Sequence, residues 1–88
     1  MNNYIERIPP QIKVALDRWA NMEGGVGDFL TAVLENNLME AVGRADHINK
    51  QLLPEICMYV YNEMPSTCHG SPEKVKLWLE AMAEKLSA

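Results

Sequence analysis

The sequence is poor in the residues on which many function classes depend. It has one phenylalanine and only two cysteines, Cys57 and Cys68. Two cysteines cannot form a disulfide framework, and a pair of free thiols in a reducing compartment is the expectation. No apolar run approaches the roughly 18–20 residues of a bilayer span. The opening residues, MNNYIERIPP, lack the basic-then-apolar order of a signal peptide. A cytoplasmic protein without membrane contact is therefore expected.

Basic residues are also scarce. Eight lysines and arginines face twelve aspartates and glutamates, for a net charge of −4. The imbalance lies in the middle, where residues 23–63 carry seven acids against Arg44 and Lys50. Direct nucleic-acid binding relies on a basic footprint, which this chain lacks. In the C-terminal segment Lys74, Lys76 and Lys85 are offset by Glu73, Glu80 and Glu84. The acids Asp28, Glu35, Glu40, Asp46 and Glu55 instead suit a surface that meets a basic partner or occupies a nucleic-acid channel on another protein.

What the chain does have is helical periodicity along nearly its whole length, in one domain of 88 residues. An N-terminal arm is expected over 1–8 and a helical core over 9–86. After Pro9 and Pro10, Ile12, Ala15, Leu16 and Trp19 form one apolar stripe, with Gly24 and Gly25 as the expected exit. Asp28 is placed to cap a short helix carrying Phe29, Leu30, Val33 and Leu34, which ends near Asn36 and Asn37. Leu38, Ala41, Val42 and Ala45 follow in helical spacing, and Gly43 among them reads as a close helix crossing.

Asp46 is placed to cap the next helix, in which Leu52, Leu53, Ile56, Val60 and Met64 form the expected buried face. Pro54 either kinks this helix or sets its regular start near Leu53. Ser71, Pro72 and Glu73 open the clearest helix, whose expected stripe is Val75, Trp78, Leu79, Met82 and Leu86. The expected fold is all-α, a compact bundle of about five short helices.

The stretch CHGS, residues 68–71, is the one that most resembles chemistry. A catalytic thiol needs a base within hydrogen-bond reach, and adjacent loop residues such as Cys68 and His69 rarely point at each other. Zinc needs about four ligands in closely spaced pairs, which His47, Cys57, Cys68 and His69 do not supply. With Pro65 before it and Ser71–Pro72 after it, CHGS reads as a joint between helices. GGVGD lacks the spacing and the preceding strand of a nucleotide loop. No catalytic, cofactor or metal residue is assigned. Trp19 and Trp78 sit at core positions. Tyr59 and Tyr61, two apart on one helix, cannot share a face, so one of them points outward as a candidate interface anchor.

The order GDFLTAVLENNLMEAVGRAD, then Asn49, YNEMPS and GSPEKVKLWL resembles small helical accessory proteins of bacteriophages, prophages and mobile elements, over about residues 9–80. These stretches mark helices and caps, not catalysis. The resemblance implies a setting in a bacterial host cell and a non-enzymatic protein that binds a host protein or nucleoprotein complex. Inhibitors of host defence, anti-CRISPR proteins among them, are one such class. The expected contacts are Asp28, Glu35, Glu40, Asp46, Glu55 and an outward tyrosine, Tyr59 or Tyr61. The alternatives are a self-associating structural protein, with a homodimer burying methionine-rich and aromatic surface, a nucleic-acid-linked regulator, and a small enzyme built around Cys68 and His69.

Overall fold

The computed structural model describes residues 4–87, and every regular element among them is helical. A 3-10 turn, Tyr4–Arg7, leads into α1 (Pro10–Ala20), α2 (Asp28–Leu34), α3 (Leu38–Arg44), α4 (His47–Gln51) and α5 (Leu53–Glu63). A second 3-10 turn, Ser66–Cys68, then precedes α6 (Pro72–Ser87). The Cα radius of gyration is 12.7 Å, close to the roughly 12 Å of a single folded domain of this length. The first three residues of the expected N-terminal arm lie outside the described residues. The rest of the arm is docked: Tyr4 Oη donates to Glu63 Oε2 at 3.0 Å, and Ile8 is buried.

The core is aliphatic around one indole. Leu16, Trp19, Leu34, Ile56 and Cys68 are its most completely buried side chains, drawn from α1, α2, α5 and the second 3-10 turn. Trp19 Nε1 donates to the Cys68 carbonyl at 3.0 Å, and Trp78 Nε1 donates to the Trp19 carbonyl at 2.7 Å. Two indoles thus tie α6 to α1 and α1 to the joint, each satisfying a polar atom that burial would otherwise strand. CHGS is a joint in structure as well. Cys68 is fully buried, Gly70 takes φ 118°, and Gly70 N donates to Leu34 O at 2.7 Å.

The caps explain several boundaries. Asp46 caps α4 by accepting from Asn49 N at 2.8 Å, and Ser71 Oγ accepts from Lys74 N at 3.2 Å ahead of α6. Leu53 and Pro54 open α5, where the missing proline N–H costs nothing. Elsewhere the structure differs from expectation. α1 does not exit through Gly24 and Gly25. It closes at Met22, with φ 59°, where Met22 N reaches Trp19 O and Glu23 N reaches Arg18 O. α2 closes in the same manner at Asn36, with φ 61°. Asn36 N reaches Val33 O and Asn37 N reaches Ala32 O, so both ends form the paired 5→2 and 6→1 bonds of a left-handed helix cap.

Asp28 is the first residue of α2 and not its cap, a place taken by Gly27. Gly43 marks no crossing, because a Cβ there would meet nothing within 4 Å. On α3 only Ala41 of the helix proper is buried, while Leu38 and Val42 are exposed. Two small residues, Ala41 and Ala45, form the buried line, so α3 lies low on the body and its larger side chains face out. α6 buries Val75 and Met82 and half-buries Trp78, but Leu79 and Leu86 are exposed. A single line of side chains meets the body, narrower than the expected stripe.

Candidate functional site

α2 and α3 bring three of the expected acids together. Asp28 opens α2, Glu35 directly follows it, and Glu40 lies in the first turn of α3. With Arg44, all three border one shallow depression. Arg44 bridges two of them, Nη1 to Asp28 Oδ2 at 3.0 Å and Nε to Glu40 Oε1 at 2.8 Å. The Glu40 hydrogen bond first, then the Glu40 and Asp28 charges, hold the guanidinium above its ordinary pKa. Glu35 makes no ion pair among the described residues. Two carboxylates thus share one guanidinium and the third has none, leaving a surplus of two negative charges on this shelf.

The other expected contacts lie elsewhere. Asp46 is exposed, but its carboxylate is engaged as the α4 cap. Glu55 faces Arg7 at 3.4 Å with its side chain only 15% exposed, so it is largely withdrawn from the surface.

The tyrosines divide sharply, and Tyr59 is corrected as a contact. It is 6% exposed and packs in the core, with its hydroxyl donating to Asp17 Oδ1. Lys13 joins them, 2.9 Å from Asp17 Oδ2 and 5.7 Å from the Tyr59 ring centroid. Burial alone would raise the Asp17 carboxyl. The hydrogen bonds from Tyr59 and Lys13, with the Lys13 charge, outweigh it and hold Asp17 below its ordinary pKa. Burial, then Asp17, pushes the Tyr59 phenol up. Tyr61 is the outward tyrosine, 81% exposed.

Tyr61 stands on the rim of a cleft of about 420 Å³ between α2, α5 and the joint. Val33, Cys57 and Val60 form its apolar wall, with Asn36 and His69 as its polar members. A smaller depression of about 40 Å³ continues it, sharing Val33, Asn36 and Cys57 and adding Leu38, Ala41 and Leu53. The acidic depression meets this one only at Ala32, which is buried, so the two stay separate. The sequence stripes assigned Val33 and Val60 to the core and Asn36 to a helix end. Only the approach of α2 to α5 sets all three beside Cys57 and His69, and no spacing in the sequence encodes that.

Cys57, not Cys68, shares this cleft with His69. Cys57 is exposed and Cys68 buried, and both are free thiols. Burial pushes each thiol above its ordinary pKa. Burial also pushes the His69 imidazole down, against the pull of the Met64 carbonyl and with the help of the Lys74 charge. His69 Nε2 is buried without a hydrogen-bond partner. A protonated thiol beside a neutral imidazole to which it is not hydrogen-bonded is a poor nucleophile. His47 is exposed on α4, 3.3 Å from Gln51 Nε2. Among the described residues no three His, Cys, Asp or Glu side chains group as metal ligands, and no helix is long and apolar enough to cross a membrane. No protein-family model matches the chain, no curated protein matches it in sequence, and no solved structure matches its fold.

Proposed function

We propose that the chain is a non-enzymatic binding protein of phage or mobile-element type that blocks or modulates a host protein complex, as an anti-CRISPR-type defence inhibitor does. The phage setting rests on the sequence resemblance. The observation that carries the binding reading is the α2–α3 shelf, where Asp28 and Glu40 share Arg44 and Glu35 pairs with no cation among the described residues. Complementary charge across an interface speeds encounter and rejects wrong partners, and an exposed aromatic beside an apolar groove supplies the anchor. Asp28, Glu35, Glu40 and Tyr61 are the contacts on this reading.

The test is capture from bacterial host lysate with the tagged protein, with and without nuclease. One stoichiometric protein complex that survives nuclease, and that the double variant Glu35→Lys, Glu40→Lys no longer captures, is the expected outcome. Partners lost on nuclease treatment would move the assignment to a nucleic-acid-linked regulator. A second reading, self-association, is favoured by one observation: Leu38, Met39 and Val42 are all exposed on α3. Recovery of the protein alone, with a dimer by light scattering, would establish it in place of the first.

A further inference from the structure

On α3 the exposed apolar side chains and the glycine form one continuous arc. At about 100° per residue, Leu38, Val42, Met39 and Gly43 follow one another round the helix over about 140°. The arc lies between the buried line of Ala41 and Ala45 and the ion pair of Glu40 with Arg44. No charged side chain interrupts it. Leu38 is 62%, Met39 83% and Val42 42% exposed, and a Cβ on Gly43 would meet nothing within 4 Å. Glycine inside a helix weakens it relative to alanine, and nothing within the chain approaches Gly43 to account for it.

Met39, the most exposed large apolar side chain among the described residues, lies one turn before Gly43 on the same face. A projection and a gap at this spacing make the face complementary to itself. Two copies of α3, antiparallel about a two-fold axis level with Ala41, set Met39 of each opposite Gly43 of the other. Leu38 and Val42 of both copies then meet on one flank, and Glu40 and Arg44 of both on the other. The seam lies opposite the buried Ala41–Ala45 line, so the two bodies stay clear of each other. The three apolar residues leave roughly 400 Å² open on each copy, so pairing removes about 800 Å² before the rim is counted. Specific interfaces begin at about 1,000 Å², which sets this one as weak and concentration-dependent.

Other surfaces and occupants match less of this. On α6, Leu77 and Leu79 are exposed but point to different sides. A nucleic acid or an anionic bilayer would meet no basic residue on the arc and surplus carboxylates beside it. A different protein would need its own projection and gap, which a second copy already has.

We propose that the chain forms a two-fold homodimer through α3, with Met39 of each copy seated over Gly43 of the other. The dimer is the self-association reading above, on which it rests, carried to one face and one symmetry. Because the Glu40 and Arg44 flanks fall on the same side, both acidic shelves face one way, with two surplus negative charges from each copy. Their repulsion opposes pairing, so the dimer tightens as salt rises, opposite in sign to the capture of a basic partner.

Sedimentation velocity of the intact protein, from micromolar to near-millimolar concentration, reads the dimer directly. A reversible monomer–dimer equilibrium that strengthens with salt is the expected result. Gly43→Gln closes the gap with a good helix former, so it should weaken the dimer at least tenfold. Melting temperature of the dilute, monomeric protein should hold or rise in the same variant. Met39→Gln should weaken the dimer as much. Cross-linking in a Cys57→Ser background reads the register, since Cys68 is fully buried. Met39→Cys and Gly43→Cys proteins, mixed, should form a disulfide with each other faster than either forms with itself.

A monomer at every concentration and salt overturns the proposal, as do cross-links without preference for the mixed pair. A dimer that both glutamine variants leave intact also overturns it, with self-association then standing through another face. A host complex captured by a protein that stays monomeric removes the dimer alone. If Met39→Gln abolishes that capture, the face belongs to the host partner instead. A dimer as described that captures no host complex removes only the inhibitor.

Discussion

Trp19 shows how much one side chain holds in place. Its ring fills the centre of the core, its Nε1 satisfies the Cys68 carbonyl, and its own carbonyl accepts from both Trp78 Nε1 and Met22 N. Trp19→Phe keeps most of the apolar volume but strands the Cys68 carbonyl, so it should cost about 1–3 kcal/mol of unfolding free energy by denaturant titration. The titratable groups set the acid limb of stability. His69 and Asp17 both have folded pKa values below their ordinary ones. The stability each contributes is intact above the unfolded value, fades as pH falls past it, and is gone below the folded value. His69 acts in the range just below the ordinary imidazole value, and Asp17 below the ordinary carboxylate value. Melting temperature followed from neutral pH downward should therefore fall in two stages, and His69→Gln should remove the first while leaving the second.

The left-handed cap of α1 departs from the sequence reading, whereas α2 closes at Asn36, where its end is expected. Glycines at 24 and 25 looked like the exit of α1, yet Met22 takes the positive φ because its side chain packs against the core as the backbone turns. Asparagine tolerates that conformation and β-branched residues do not. Asn36→Val should thus cost about 1–2 kcal/mol in the denaturant midpoint, whereas Asn36→Gly should be neutral or slightly stabilising. Asp46→Ala should cost about 1 kcal/mol through the lost α4 cap, whatever the protein binds. Caps such as Asp46 and Ser71, and proline starts such as Pro54 and Pro72, were legible because each acts on its own next turn. The face of α3 was not. Leu38 and Val42 have the right spacing for burial, but which side of a short helix is covered depends on its neighbours.

For the whole molecule, charge decides more than shape. That the chain is net acidic, with the excess of acids on residues 23–63, was legible from the sequence. That Asp28, Glu35 and Glu40 share one shelf while Glu55 turns to Arg7 was not, because only tertiary packing assigns the cations. The surplus charge is solvent-exposed, so partner association should be faster at low ionic strength and slow steeply as salt rises, with dissociation changing less. Stopped-flow measurement across a salt series checks this, and Glu35→Lys with Glu40→Lys should remove most of the dependence. The same two tryptophans that link α6, α1 and the joint also give the protein its own optical gauge. Trp19 is sealed from water and Trp78 only half covered, so their emission differs in colour and in access to a soluble quencher. If α6 lifts away before the core opens, Trp78 reddens first while Trp19 stays blue, and a Trp78→Phe variant isolates the second signal. Light alone can therefore tell whether this small fold melts from its last helix inward or all at once.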